Sequence, residues 1–141
     1  EVLMGFEPAM VKILNPPPFS SDITAINDNS CVLKIEYLGN SILLCADIEE
    51  QGIEFLLSKS LEIRSDVIQV PHHGSSINNM EMFITAVRPA YAFINSSNGV
   101  TSRETLNFLQ KHRIRTFQAH QEGAITFNLD KNGITCSTFY E

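Results

Sequence analysis

Apolar and polar positions along this chain follow two periods, and the switches between them outline the elements. Val11-Lys12-Ile13-Leu14 is a first strand-like run, and Pro16-Pro17-Pro18 leads it into a loop that lasts to about Asn29. Residues 31–37 are β-rich and their second half alternates apolar and charged. Gly39-Asn40 offers a turn, and residues 41–45 return as a more buried strand, so the pair reads as a hairpin. From Asp47 to about Ser58 the period becomes helical, with Ile53, Leu56 and Leu57 as the apolar stripe. Gly52 weakens that helix by up to ~1 kcal/mol relative to Ala. Residues 66–70 form the next strand, stopped by Pro71. A helix begins near Asn78, where Asn78 and Glu81 have capping-box spacing, and Met80, Phe83, Ile84 and Val87 make its core-facing stripe. Pro89 ends it before a strand over 91–94. Thr101 and Glu104 repeat the capping-box spacing ahead of a helix to about Lys111, and 114–117 is a short strand. A final hairpin joins 124–127 to 134–139 through Asp130-Lys131-Asn132-Gly133.

Helices and strands thus alternate through the middle, with hairpins at both ends. That order predicts α/β layers, a mixed sheet flanked by helices. In such folds chemistry sits on loops just beyond strand ends. Three loops qualify: Ala46-Asp47, Pro71-His72-His73-Gly74-Ser75-Ser76, and Ser96-Ser97-Asn98-Gly99. If their strands run parallel, all three share one edge of the sheet.

The 141 residues fit one domain, with no internal repeat and no linker. A hydrophobic share of 43% supports a core, and no apolar run approaches the ~20 residues of a membrane span. The first residues, Glu1-Val2-Leu3-Met4-Gly5, lack the basic region of a signal peptide and read as an excerpt of a longer chain. A net charge of −6 argues against a simple nucleic-acid-binding module, which needs clustered Lys and Arg. It leaves room for a nuclease whose cations meet the phosphates. Cys31 and Cys45 lie in apolar runs and Cys136 stands apart. With no Cys-x-x-Cys spacing, they read as free thiols, the first two buried.

Asp47 has two readings. It can cap the helix it precedes, with Glu50 three residues on, or its carboxylate can hold one or two cations. The His72-His73 pair, set between a buried strand and Gly-Ser, is harder to explain without chemistry. One imidazole can bind a metal while the other orients it or donates a proton. Gly74 permits a tight turn, and Ser75 and Ser76 can bond phosphate or cap a turn. His112 and His120 read as structural. Lys111, Arg113 and Arg115 read as a solvated basic face, and Ser96-Ser97-Asn98 as an ordinary polar loop. No Gly-x-Ser-x-Gly elbow, phosphate loop, His-Glu-x-x-His or dinucleotide fingerprint is present.

Three blocks in this order, Asn27-Asp28-Asn29-Ser30-Cys31-Val32-Leu33, Leu43-Leu44-Cys45-Ala46-Asp47-Ile48-Glu49 and Asp66-Val67-Ile68-Gln69-Val70-Pro71-His72-His73-Gly74-Ser75, resemble the ComEC family of DNA-uptake channel proteins. The resemblance covers roughly residues 11–129. It implies half of a metallo-β-lactamase αββα sandwich, with a two-metal centre, usually Zn or Mn, hydrolysing DNA or another phosphodiester. On that resemblance Asp47, His72 and His73 are the metal-site residues, and His72 and His73 the catalytic pair. It also implies partners: a missing N-terminal half, or a second copy, to cover an exposed apolar sheet face, and a parent protein attached to the bacterial membrane. Three departures stand out. The family's His-x-(His/Asp)-x-Asp-His motif is absent. The glycine before the metal-binding Asp is Ala46, and the Gly-His-Pro of the third loop is replaced by Gly99-Val100-Thr101-Ser102-Arg103. The alternative is a non-catalytic scaffold or partner-binding module of the same fold.

Overall fold

The computed structural model describes residues 2–6, 9–16 and 25–140. Most of the loop that follows Pro16, residues 17–24, lies outside them, as do Glu1 and Glu141.

Seven strands form one sheet in the order of the chain: β1 (Val2–Phe6), β2 (Ala9–Asn15), β3 (Val32–Tyr37), β4 (Asn40–Leu44), β5 (Val67–Gln69), β6 (Tyr91–Ile94) and β7 (Arg115–Gln118). The first four run antiparallel to one another, and β4 to β7 run parallel. This is the mixed sheet that the alternation of elements predicts. The β3–β4 turn uses Leu38 and Gly39, both left-handed (φ 47° and 82°), one residue earlier than the Gly39-Asn40 expectation. Paired left-handed residues match the twist of a two-residue hairpin.

The register separates two faces. Leu43, Ile68 and Ala92 sit in line across β4, β5 and β6, and all three are fully buried. They join Ile53 and Leu56 of α1 (Glu50–Leu57), Phe83, Ile84 and Val87 of α3 (Met80–Val87), and Leu109 of α4 (Arg103–Lys111) in a single core. Two short α-helices, α2 (Ser60–Ile63) and α5 (Ala119–Glu122), and two 3₁₀ turns, Asn27–Asn29 and Pro71–Gly74, complete the helical set among the described residues. Val11, Ile35, Ile42, Val67 and Tyr91 line the opposite face. There a hairpin, β8 (Ile125–Asp130) and β9 (Gly133–Thr138), lies over the β6–β7 side. Its Phe127 meets the rings of Tyr91, Phe93 and Phe117 at 5.8–6.0 Å. The Asn40 side-chain amide donates to Asp130 O across 2.8 Å and ties the hairpin tip to the β3–β4 turn. The expected bare face is therefore partly covered by the chain's own C-terminal hairpin, while Val11, Ile35 and Ile42 stay half-buried.

Helix starts depart from the sequence reading, because capping groups come from afar. Helix α1 begins at Glu50, and Asp47 caps nothing. The buried carboxylate of Asp28 accepts backbone N–H bonds from Glu49 (2.6 Å), Gly52 (2.9 Å) and Gln51 (3.3 Å). This explains Gly52: a Cβ there would stand 3.0 Å from Asp28 Oδ1 and from Ile48 Cβ. The Asn78–Glu81 capping box does not form. Asn78 donates to Glu50 Oε1 across 2.8 Å, and left-handed Asn79 leads into α3. The second box also gives way: Ser102, not Thr101, caps α4 by accepting from Thr105 N. Cys31 is exposed rather than buried, because β3 begins only at Val32, whereas Cys45 is fully buried. No described helix is long and apolar enough to cross a membrane.

Candidate functional site

Because β4, β5 and β6 are parallel, the loops that follow them emerge at one edge of the sheet. Hydrogen bonds stitch them together. Ala46 N–H donates to Gln69 Oε1 (3.3 Å), Ala46 O accepts from His72 N–H (3.0 Å), and Gly74 O accepts from Ser102 N–H (2.9 Å). The Thr101 hydroxyl donates to His73 O across 3.0 Å, and Ser96 Oγ lies 2.9 Å from Thr101 Oγ1.

The turn after β5 is held in an uncommon conformation. His72, His73 and Gly74 are all left-handed, with φ of 45°, 59° and 73°. A left-handed conformation costs a non-glycine residue about 1–2 kcal/mol, so two adjacent histidines in it are held there by their surroundings. Gly74 allows the close approach of the third loop, since a Cβ at this position would stand 2.7 Å from the Thr101 methyl.

The two imidazoles face different partners. His73 Nδ1 bonds to the carbonyl of Asn95, which can only accept, so Nδ1 carries the proton. The lone pair of Nε2 is then free, and Nε2 lies 3.7 Å from Asp47 Oδ1. Both side chains are about half exposed, at 43% and 49%. A histidine whose far nitrogen donates to a backbone carbonyl is the usual form of a metal-binding imidazole. His72 turns towards Glu49, with Nδ1 3.0 Å from Glu49 Oε1. Glu49 Oε1 in turn accepts from Asn27 Nδ2 across 3.0 Å. The structure therefore brings Asp47 and His73 together and directs His72 to a carboxylate that sequence reasoning passed over. Glu49 closes the second block of the family resemblance, two residues after Asp47, and that reading gave it no role. A cleft of about 330 Å³ opens beside His73, lined by Asn95, Ser96, Ser97 and Val100. His112 caps α4, its ring 4.2 Å from Phe108, away from these loops. Among the described residues no three His, Cys, Asp or Glu side chains gather where they could hold a metal ion together.

No family model matches the chain. Over 87% of its length it is 31% identical to the ComE operon protein 3 of Bacillus subtilis. Over 77% it is 29% identical to the competence protein ComA of Neisseria gonorrhoeae. These relatives point to the ComEC competence family. The YcaI protein of Escherichia coli is similar too, at 32% identity over 82% of the chain. The chain spans 16% of the length of each of these three proteins. The ComEC pattern has glycine where this chain has Ala46, and the backbone gives the reason: Ala46 is left-handed (φ 50°), a conformation glycine adopts without steric cost.

Proposed function

We propose that this chain carries part of a metal-dependent phosphodiester hydrolase site acting in DNA uptake. The observation that carries this reading is the Asp47–His73 pair, with the His73 proton held on the side away from Asp47. A carboxylate oxygen and an imidazole nitrogen suit Zn or Mn. Their 3.7 Å separation is close to the ~3.4 Å between two donors that share one tetrahedral cation at about 2.1 Å each. When bound, the metal would acidify a water and polarise a phosphoryl oxygen. Asp47 and His73 would hold it, Asn95 O would fix the His73 ring, and Thr101 would fix the turn beneath. The cleft beside His73 would receive the substrate. Further donors would come from sequence outside these residues, in keeping with relatives several times longer. The names of those relatives, a competence protein among them, support the uptake setting.

The absence of a third donor among the described residues favours a second reading, a scaffold of the same fold without catalysis. Zinc and manganese titrations of the chain and of an Asp47→Ala/His73→Ala variant separate the two. Micromolar binding that the variant loses supports the hydrolase reading, to be followed by cleavage assays on a longer polypeptide with DNA, RNA and small phosphodiesters. A longer polypeptide that neither binds metal through Asp47 nor cleaves any of these substrates leaves the scaffold.

A further inference from the structure

We infer that Glu49 is a positioning residue for His72: it fixes which ring nitrogen carries the proton and leaves Nε2 as the nitrogen available to a ligand. The role rests on reading the His72-His73 turn as part of a hydrolytic site. The proton placement itself follows from contacts alone.

His72 Nδ1 is shut off from solvent, and no described group makes an aligned hydrogen bond to it. A buried polar nitrogen in that position is unfavourable unless a partner completes it. Glu49 Oε1 lies 3.0 Å away, within bonding distance and off the line of the N–H. A lone pair on Nδ1 would face a carboxylate oxygen at this distance and repel it, whereas an N–H there is attracted. A carboxylate accepts and does not donate, so the proton of neutral His72 belongs on Nδ1.

Glu49 is itself held at two points. Its backbone N–H donates to Asp28 Oδ1 across 2.6 Å, and its Oε1 accepts from Asn27 Nδ2. The turn that follows is pinned by the bonds from Gln51 and Gly52 to the same Asp28 carboxylate. His72 is fixed from the other side by its own backbone bond to Ala46 O. The carboxylate that faces His72 is thus placed by Asn27 and by the anchored turn. The two histidines share one proton arrangement through different acceptors, a side-chain carboxylate for His72 and a backbone carbonyl for His73.

The histidine side chain free in water prefers the opposite tautomer, with the proton on Nε2, which makes the inference measurable without turnover. The four histidines are labelled with ¹⁵N in the ring, and long-range ¹H–¹⁵N spectra are recorded in alkaline buffer, where imidazole is neutral. His72 is expected to show the Nδ1–H pattern in the unaltered chain. Glu49→Ala is expected to move it to an Nε2–H majority, while Glu49→Gln, whose amide oxygen still accepts, keeps Nδ1–H. His73 serves as internal control, since Asn95 O is untouched and its pattern should stay Nδ1–H in all three, which also reports an intact turn. Should Glu49→Ala unfold the chain, Glu49→Asp, with a shorter reach, takes its place with the same expectation. An Nε2–H pattern for His72 in the unaltered chain, or one that ignores position 49, overturns the inference. Zinc titration of the same samples keeps the two readings apart. Metal binding through Asp47 and His73 without any tautomer change sinks the role of Glu49 alone. A tautomer change, together with a longer polypeptide that neither binds metal through Asp47 nor cleaves phosphodiesters, sinks the hydrolase reading alone.

Discussion

Two aspartates lie near the start of α1, and they should behave in opposite ways. Asp28 is 2% exposed and receives three backbone N–H bonds from the first turn of the helix. Asp47 is half exposed and caps nothing. Removing a helix cap costs about 0.5–2 kcal/mol, and hydrogen bonds to a charged group contribute roughly 1.5–3 kcal/mol each. Of the three bonds to Asp28, two are short and one, at 3.3 Å, is long. Water at the helix end can recover part of the loss after truncation. Asp28→Ala should therefore destabilise the chain by about 3–4 kcal/mol. Asp28→Asn keeps one acceptor oxygen and should cost about 1–2 kcal/mol. Asp47→Ala should stay within about 0.5 kcal/mol, as exposed substitutions without a structural bond do. Urea unfolding followed by circular dichroism reads all three. A loss below about 1 kcal/mol for Asp28→Ala, or an equal loss for Asp47→Ala, would refute the assignment of the cap to Asp28.

Other predictions concern backbone conformation, charge and thiols. Gly74→Ala should lose about 2–3 kcal/mol in thermal or urea unfolding, because it combines a left-handed backbone with a contact of 2.7 Å to the Thr101 methyl. Ala46→Gly should gain up to about 1 kcal/mol by the same measurement, since Ala46 is left-handed (φ 50°), a conformation glycine adopts without steric cost. The Lys12 ammonium, 2.8 Å away, and then Lys34 hold the Glu36 carboxyl below the usual glutamate range against the opposing effect of burial. A depressed folded value stabilises the chain above the unfolded value, and that contribution disappears as pH falls through the folded one. Glu36→Gln should thus lower stability at neutral pH by less than about 1 kcal/mol, with the gap closing in acid. Burial pushes the Cys45 thiol far up, so Cys31 should alkylate quickly in the folded chain and Cys45 only on unfolding, as mass spectrometry would show.

Periodicity made the central elements legible in the sequence. The stripe Met80, Phe83, Ile84 and Val87 is buried in α3 as its spacing requires, and β3 to β7 lie within a residue or two of their apolar runs. The residues to suspect were legible too, since His72-His73 between a buried strand and Gly-Ser is unusual in any fold. Local spacing could not identify the caps. Capping boxes at Asn78 and Thr101 have the right intervals, but Asn78 is drawn to Glu50 and Thr101 to His73, both 28 residues away. Nor could it show that Asp28, rather than Asp47, closes α1, because that bond spans the β3–β4 hairpin. The same limit applies to the site. Sequence placed Asp47, His72 and His73 on loops at strand ends. Only the parallel packing of β4, β5 and β6 brought Asp47 to His73, and only the fixed turn at Glu49 gave His72 a different partner. Pattern determines which residues must be buried and which element each belongs to, because those preferences act between near neighbours. Which polar group completes which other one is decided when distant loops meet, since a buried donor takes whatever acceptor the fold brings within reach.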